Sequence, residues 1–484
     1  MKLKLYLTIT LIILLSAFQV QAQEVKTWSF QECVEYALDN NLTVKRGELD
    51  VQFNEVNLKQ SKADMYPNFN FGSQYGINWG RSIDPTTNLF ISQRIQSVGL
   101  QAGSSLTLFD GLQKLNTIKQ NKLNLQGSTS DLDKAKNDVI LNVVTFYTNV
   151  IFNQELLETA NLQLETTTQQ LQRTQKLVDA GSLAISEVLD LQSQVASNEL
   201  EVVNAENNLN LALLNLKQVM QMPASENLQV VEPEIEATDY VFTGLNAQDI
   251  FQQAERSQPE VKSADLGIQS SVLGEKIAKG AYYPSLSLGY NMFTNYSDAL
   301  NPLFISDGTF GEPDEIPDAG FVTGNPTQTV TLFSPNPNFV SMSNGVGDQF
   351  DDNLSRSLSF TLSVPVFNGL ATKSSVQRAS IFKAQAEINA REVRNLLRQI
   401  IETAYNDAIA ASKAYEASQK QVQALEESFR VTEKRYNLGA VNFVDYQIVQ
   451  NNLFGAKSDL VRTKYDYIFK TKILDFYQGN PLEF

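Results

Sequence analysis

Phe109-Asp110-Gly111-Leu112 returns later in the chain as Phe367-Asn368-Gly369-Leu370. Thr145-Phe146-Tyr147 answers to Thr403-Ala404-Tyr405, Gly181 to Gly439, and Met222-Pro223 to Asn480-Pro481. Each pair is 258 residues apart, so two copies run for more than a hundred residues without an insertion. Upstream, Ala37/Ala254, Val44/Val261, Leu49/Leu266 and Tyr66-Pro67/Tyr283-Pro284 align at a separation of 217. The second copy therefore carries 41 more residues between Pro284 and Phe367. A unit this long is not a solenoid repeat. It is a duplicated domain, and a functional surface built from two similar halves is expected.

Outward from the glycine pair, residues 111–222 and 369–480 contain no proline. Both stretches are rich in Ala, Leu, Gln, Glu, Asn and Lys, and each is interrupted near its middle by Gly181 or Gly439. Good helix formers with one central glycine predict a long helical hairpin in each copy. The first arm would be roughly 100 Å long at about 1.5 Å per residue. Leu123, Leu132, Val139, Val143, Phe146 and Ile151 recur at mixed three-, four- and seven-residue steps, as in a coiled coil. Alanines crowd the second copy at 404, 408, 410, 411, 414 and 417, which permits close helix approach. Shorter helices are expected over 30–64 and 247–279, each closed by a Tyr-Pro pair, because proline disfavours helix in the residue before it.

After each Tyr-Pro the apolar period changes to two. Phe69, Phe71, Tyr75 and Ile77 alternate with Asn70, Gly72 and Asn78; Val98, Leu100, Ala102, Leu106 and Leu108 alternate with Gly99, Gln101, Gly103, Ser105 and Thr107. In the second copy Leu286, Leu288, Tyr290 and Met292 alternate with Ser285, Ser287, Gly289 and Asn291, and Leu358, Phe360, Leu362 and Val364 with Ser357, Ser359, Thr361 and Ser363. Four strands with one apolar and one small polar face match the dyad pattern of a membrane barrel. A soluble sandwich would share the alternation. Four strands cannot close a barrel, and an open edge cannot sit in lipid, so copies of the chain must share one. The pattern alone allows a dimer with eight strands or a trimer with twelve. Tyr66, Tyr283, Phe69, Tyr75 and Tyr290 sit at or near strand starts, where an interfacial aromatic girdle would lie. Loops join the strand pairs over about 79–96 and 295–353. The second holds the extra residues and six prolines, carries no Lys or Arg, and reads as an outward-facing loop: a lid, an interaction surface or a flexible cover.

The composition narrows the function. Lys2 and Lys4, the apolar run from Leu5 to Phe18, and Val20-Gln21-Ala22 form a secretory signal over 1–22. Its removal takes the formal charge from −16 to −18, which argues against nucleic acid as a partner. There is no histidine and one cysteine, Cys33, so imidazole metal sites, thiolate clusters, Ser-His triads and disulfide frameworks are excluded. No cofactor or metal is implied, and no enzyme is expected.

Signal, duplicated halves, Tyr-Pro-led strand pairs and long broken hairpins together resemble the TolC-like outer-membrane efflux proteins. The resemblance implies a mainly α fold with a membrane β-barrel portion. Long antiparallel hairpins would form a periplasmic α-barrel, and four strands per chain would enter a shared trimeric twelve-stranded β-barrel. It implies a first repeat over 23–225, an equatorial segment over 226–245 and a second repeat over 246–484. It also implies passive export: an inner-membrane pump and a periplasmic adaptor load the tunnel of a homotrimer seated in outer-membrane lipid, in efflux or type I secretion.

The hairpin turns carry the sharpest motifs. Ala180-Gly181-Ser182-Leu183 and Leu438-Gly439-Ala440-Val441 match the family's periplasmic tip, where the adaptor docks. Glycine in each turn permits positive φ. Tyr436 is similar to the family's tip tyrosine, Asp445 to one of its constricting aspartates, and Ser186-Glu187 to a Thr-Asp pair that the tyrosine contacts. Val441 stands where the best-known member has an arginine, and Ile448 where a second aspartate would fall. The expected gate is an acidic ring beside an apolar one: converging carboxylates repel one another and attract cations, and an apolar ring closes by dewetting. The plainer reading is that Glu187 and Asp445 favour the first turns of returning helices. An exported coiled-coil scaffold without a pore would explain the helices, but not the four alternating strands.

Overall fold

The computed structural model describes residues 27–83, 90–92, 94–231, 246–300 and 303–480. The expected signal at 1–22, most of the segment 226–245 and Phe484 lie outside them. Strand β1 (Thr27–Trp28) leads into helices α1 (Phe30–Asn40) and α2 (Leu42–Ala63). Strand β2 (Asn68–Asn78), the short hairpin β3 (Arg81–Ile83) and β4 (Phe90–Ser92), and β5 (Ile95–Phe109) follow. The first copy ends in α3 (Gln113–Asp179) and α4 (Ile185–Met220), then β6 (Gln229–Val230). The second copy repeats the order with α5 (Ala247–Ser257), α6 (Pro259–Gly280) and β7 (Ser285–Ser297). Strands β8 (Leu303–Phe310), β9 (Asp314–Val322), β10 (Asn325–Ser334) and β11 (Pro337–Met342) come next, then α7 (Val346–Asp352) and β12 (Ser355–Ser363). The copy closes with α8 (Ala371–Asn437) and α9 (Phe443–Tyr477).

Each expected short helix is in fact two. Asn41 ends α1, accepts the Thr43 N–H at 2.8 Å to start α2, and donates its amide to the Val219 carbonyl at 3.0 Å. Gln258, buried before Pro259, makes the equivalent break. The first helix of each copy is capped at equivalent positions, Ser29 by a capping box with Glu32 and Asn246 by accepting the Asp249 N–H.

The chain divides into two compact units, each drawing on both copies. The helical unit comprises the described residues of 27–58, 120–272 and 381–480. In it Cys33, Val34, Ala37 and Val44 pack against Val139, Val143, Tyr147 and Val150 of α3, Leu216 of α4 and Ile468 of α9. Their repeat equivalents form a second core: Ile250, Phe251, Ala254 and Val261 against Leu397, Ile401 and Ala408 of α8, with half-buried Tyr405 packed on it in the place of Tyr147. Cys33 occupies the place of Ile250 and is a fully buried packing residue. Each fully buried Val, Leu or Ile contributes roughly 1.5–3 kcal/mol. Arg394 on α8 pins α5 and α6 by a two-pronged bond to Asp265 at 2.8 Å and a bond to Glu255 at 3.0 Å.

The other unit, the described residues of 59–119 and 273–380, holds a four-stranded antiparallel sheet in the order β12-β7-β5-β2. Asn68 pairs with Ser105, and Ser285 with Ser363, so the two copies share the same strand register to the residue. Phe69, Phe71, Tyr75, Leu358, Phe360 and Leu362 lie exposed on one face, with Gly72, Gln74, Gln101, Gly103, Asn291, Ser359 and Thr361 on the other. The outer strands β2 and β12 each pair on one side only. Among the described residues no helix is long and apolar enough to cross a membrane.

The described residues of the loop expected over 295–353 are mostly strand. β7 runs on to Ser297, and β8 with β11 and β9 with β10 form successive two-stranded antiparallel segments. Proline is compatible with such segments because every strand has a free edge, where a missing N–H breaks no ladder. The Gln349 side chain of α7 then closes on β7: its amide donates to the Ser297 carbonyl at 3.1 Å and accepts the Ser297 N–H at 3.0 Å. A side-chain amide thus stands in for the next strand.

Candidate hairpin tip and gate

The two helical turns are built alike. Gly181 (φ +73°) and Gly439 (φ +71°) take the left-handed conformation that glycine adopts without strain. In the first turn Gly181 donates to the Val178 carbonyl at 2.8 Å and Ser182 to Leu177 at 2.8 Å. In the second, Gly439 donates to Tyr436 and Ala440 to Arg435, both at 2.9 Å. This paired closure satisfies carbonyls that a helix end leaves open. Ala180, Gly181, Ser182, Leu438, Gly439 and Ala440 are exposed, and Leu183 and Val441 half-buried. Leu438 is 84% exposed, an apolar side chain held out at the end of the hairpin.

Of the residues singled out for the gate, the structure brings Tyr436 and Glu187 together, with the phenol donating to Glu187 Oε2 at 3.4 Å. Ser186 is exposed, and among the described residues no hydrogen bond joins it to Tyr436. Asp445 is exposed in the first turn of α9, its N–H donating to the capping side chain of Asn442 at 2.8 Å. Ile448 is exposed as well.

An aromatic cluster holds the tyrosine, and sequence reasoning missed it. The Tyr436 ring stacks on Tyr446 at 4.8 Å and tilts against Phe443 at 6.1 Å. Phe429 packs on Tyr446 at 5.6 Å, and Leu191 of α4 is buried in the same cluster. The signal was present in the seven-residue spacing of Phe429, Tyr436 and Phe443. Burial foremost, and then the Glu187 carboxylate, push the Tyr436 phenol above its ordinary value. Burial pushes Tyr446 up to about 12.

A second missed feature ties the hairpins together further along. Asn198 on α4 donates to Thr167 of α3 at 2.9 Å and accepts from Gln194 at 2.9 Å, and Gln194 accepts from Gln447 of α9 at 3.0 Å. Asn198 and Thr167 are buried, and Thr167 also donates to the Gln163 carbonyl at 2.9 Å, so its hydroxyl is satisfied as both donor and acceptor.

The family model described as outer membrane efflux protein matches residues 33–220 and 250–474. Over 422 residues the chain is 22% identical to the outer membrane protein TolC of Escherichia coli (strain K12), covering 87% of this chain and 75% of that protein. It is 23% identical over 451 residues to the cation efflux system protein CusC of the same strain, covering 89% and 81%. The fold matches a crystal structure of CusC with a TM-score of 0.72 at 15% identity, covering 93% of this chain and 92% of that one. It matches the outer membrane protein VceC of Vibrio cholerae with a TM-score of 0.69 at 13% identity, covering 94% and 97%.

Proposed function

The chain belongs to the outer membrane efflux protein family, and from that premise we propose that three copies form the exit duct of a tripartite efflux or type I secretion system. The duct passes substrate from an inner-membrane pump and a periplasmic adaptor, through the outer membrane, without chemistry of its own. The observation that carries this reading is the sheet. One face exposes a field of Phe, Tyr and Leu, the opposite face is Gly, Ser, Asn and Gln, and both edge strands are unpaired on their outer side. Lipid accommodates the first face, water the second, and neighbouring copies the edges.

The duplication supplies the register of the seam. Within the chain, β5 of the first copy pairs with β7 of the second, Gly103 opposite Asn291. The equivalents of these strands are the free edges: Thr361 of β12 answers to Gly103, and Gln74 of β2 answers to Asn291. Thr361 of one protomer therefore faces Gln74 of the next, on the polar side. Cross-strand Cα atoms lie ~4.5–5.5 Å apart, within disulfide reach.

The test is a chain carrying both Thr361→Cys and Gln74→Cys, oxidised in outer-membrane preparations. A covalently closed ring of three copies, absent when Ser359→Cys replaces Thr361→Cys, is the expected result. Monomer alone after oxidation would reject the shared barrel and favour a pore-free envelope scaffold.

At the hairpin turns, the gate reading assigns Tyr436 and Glu187 to a latch between hairpins. Asp445 and Ile448 become the constriction, Ser186 its neighbour, and the turns at Gly181 and Gly439 the adaptor contact. The bond between Tyr436 and Glu187 supports the latch.

A further inference from the structure

The four strands of the sheet hold one charged residue, Arg356 of β12. It is exposed and lies two residues before Leu358, on the apolar face. Trp79 follows β2 two residues after Ile77 of the same face and is 73% exposed. We propose that Arg356 of one copy stacks on Trp79 of the next, a cation–π pair at the loop end of the seam. The pair rests on the shared-barrel reading and adds to it a side-chain contact that only a second copy can supply.

The duplication fixes the placement. Within the chain Val98 of β5 stands opposite Tyr296 of β7. Arg356 is the equivalent of Val98, and Trp79 that of Tyr296, at the separations of 258 and 217. The two therefore come opposite each other in the same register that sets Thr361 against Gln74. Directly opposed residues share a face, with Cβ atoms ~4.5–5.5 Å apart. The internal pair is an aromatic ring beside an aliphatic side chain, and both members are half-buried. In the seam the ring is kept and enlarged, while the aliphatic partner becomes a cation. Indole is the aromatic ring that attracts a guanidinium most strongly.

Neither residue has a better partner in its own chain. Arg81, the cation nearest Trp79 in sequence, lies over the Phe90 ring at 4.9 Å. Arg356 faces Met292 across β7, which offers no charge. Among the described residues Arg356 makes no ion pair with Asp351 or Asp352 at the end of α7. A cation on a lipid-facing surface costs little only near the membrane interface, which suits its place at the strand end. An exposed indole belongs at that level too. The pair also guards the register, because a slip of one residue would turn one of the two side chains to the polar face.

The test is a double-mutant cycle on the rate of trimer dissociation, run on the full chain in dodecyl maltoside, whose headgroup is uncharged. A copy leaving the ring opens two seams. Arg356→Leu and Trp79→Leu should each speed dissociation about tenfold, the ~1.4 kcal/mol of two exposed cation–π pairs. The double variant should be no faster than either single one. Arg356→Lys keeps the charge and should lose less than Arg356→Leu. Effects that multiply, to about a hundredfold in the double variant, would show two independent contacts and overturn the pair. So would a rate insensitive to Arg356→Leu in maltoside but sensitive once anionic lipid is added, which would mark the guanidinium as a headgroup contact. A parent chain that forms no trimer overturns the shared barrel and the pair together. A trimer whose two variants act independently overturns the pair alone.

Discussion

The Tyr436 hydroxyl stands 3.4 Å from Glu187 Oε2, joining the last turn of one hairpin's outgoing helix to the first turn of the other's returning helix. The distance is long for an O–H to carboxylate bond, so the contact itself is weak. The ring matters more. Tyr436→Phe is expected to cost under ~1 kcal/mol and to raise resting single-channel conductance modestly. Tyr436→Ala also removes the stack on Tyr446, so a loss of roughly 3 kcal/mol and a larger rise in conductance are expected. Equal conductance in both variants and the parent would end the latch reading.

Asp445 and its cap separate gating from folding. Asn442→Ala removes the side chain that accepts the Asp445 N–H and should lower stability by ~1 kcal/mol with little effect on conductance. Asp445→Ala leaves that cap in place, so stability should shift by no more than ~1 kcal/mol while resting conductance rises. Planar-bilayer recordings beside thermal melts decide the matter. A conductance unchanged in Asp445→Ala reduces the residue to helix-start chemistry.

Gly111 and Gly369 are equivalent, and both have positive φ, at +68° and +62°. Their surroundings differ. A Cβ on Gly111 would collide with the backbone of Gly280, whereas Gly369 has open space around it in the single chain. Gly111→Ala should therefore cost roughly 3 kcal/mol or more, through clash and backbone strain together. Gly369→Ala should cost ~1 kcal/mol in the monomer. The equivalent of Gly280 is Ala63, so in the assembled ring the Gly369 space is expected to fill with the next copy's Ala63 region. A larger defect of Gly369→Ala in trimer yield than in monomer folding would mark that contact.

Alkali should loosen the helical unit. Tyr147, Tyr436, Tyr446 and Tyr477 all have phenol values raised chiefly by burial, Tyr446 and Tyr477 up to about 12. The unfolded chain releases these protons near pH 10, before the folded chain does. The stability they contribute is whole below about pH 10 and falls as pH rises toward 12. Melting temperatures should drop across that window, and Tyr446→Phe should flatten the drop. A melt independent of pH up to 12 would contradict the burial of these phenols.

The parts legible from sequence were those that repeat at one offset. Gly181 and Gly439 marked turns, and Phe69 to Ile77 and Leu358 to Val364 marked strands, because alternation survives without knowledge of neighbours. The break at Asn41 was hidden, since one side chain makes it inside a run of good helix formers. The strands at 303–342 were masked by prolines that two-stranded segments tolerate. The chain from Thr167 through Asn198 and Gln194 to Gln447 was unreadable for a different reason. Its members are ordinary polar residues until the packing of α3, α4 and α9 is known.

The sheet with two open edges also has a genetic consequence. In a three-copy ring each protomer lends β2 to one neighbour and β12 to the other, so a copy altered in one edge strand spoils one of the three seams, and one open seam leaves the ring unclosed. An edge-strand mutation that still folds should behave as a dominant poison when expressed beside the parent allele. A mutation that prevents the chain from folding should be merely recessive, because it never reaches the ring.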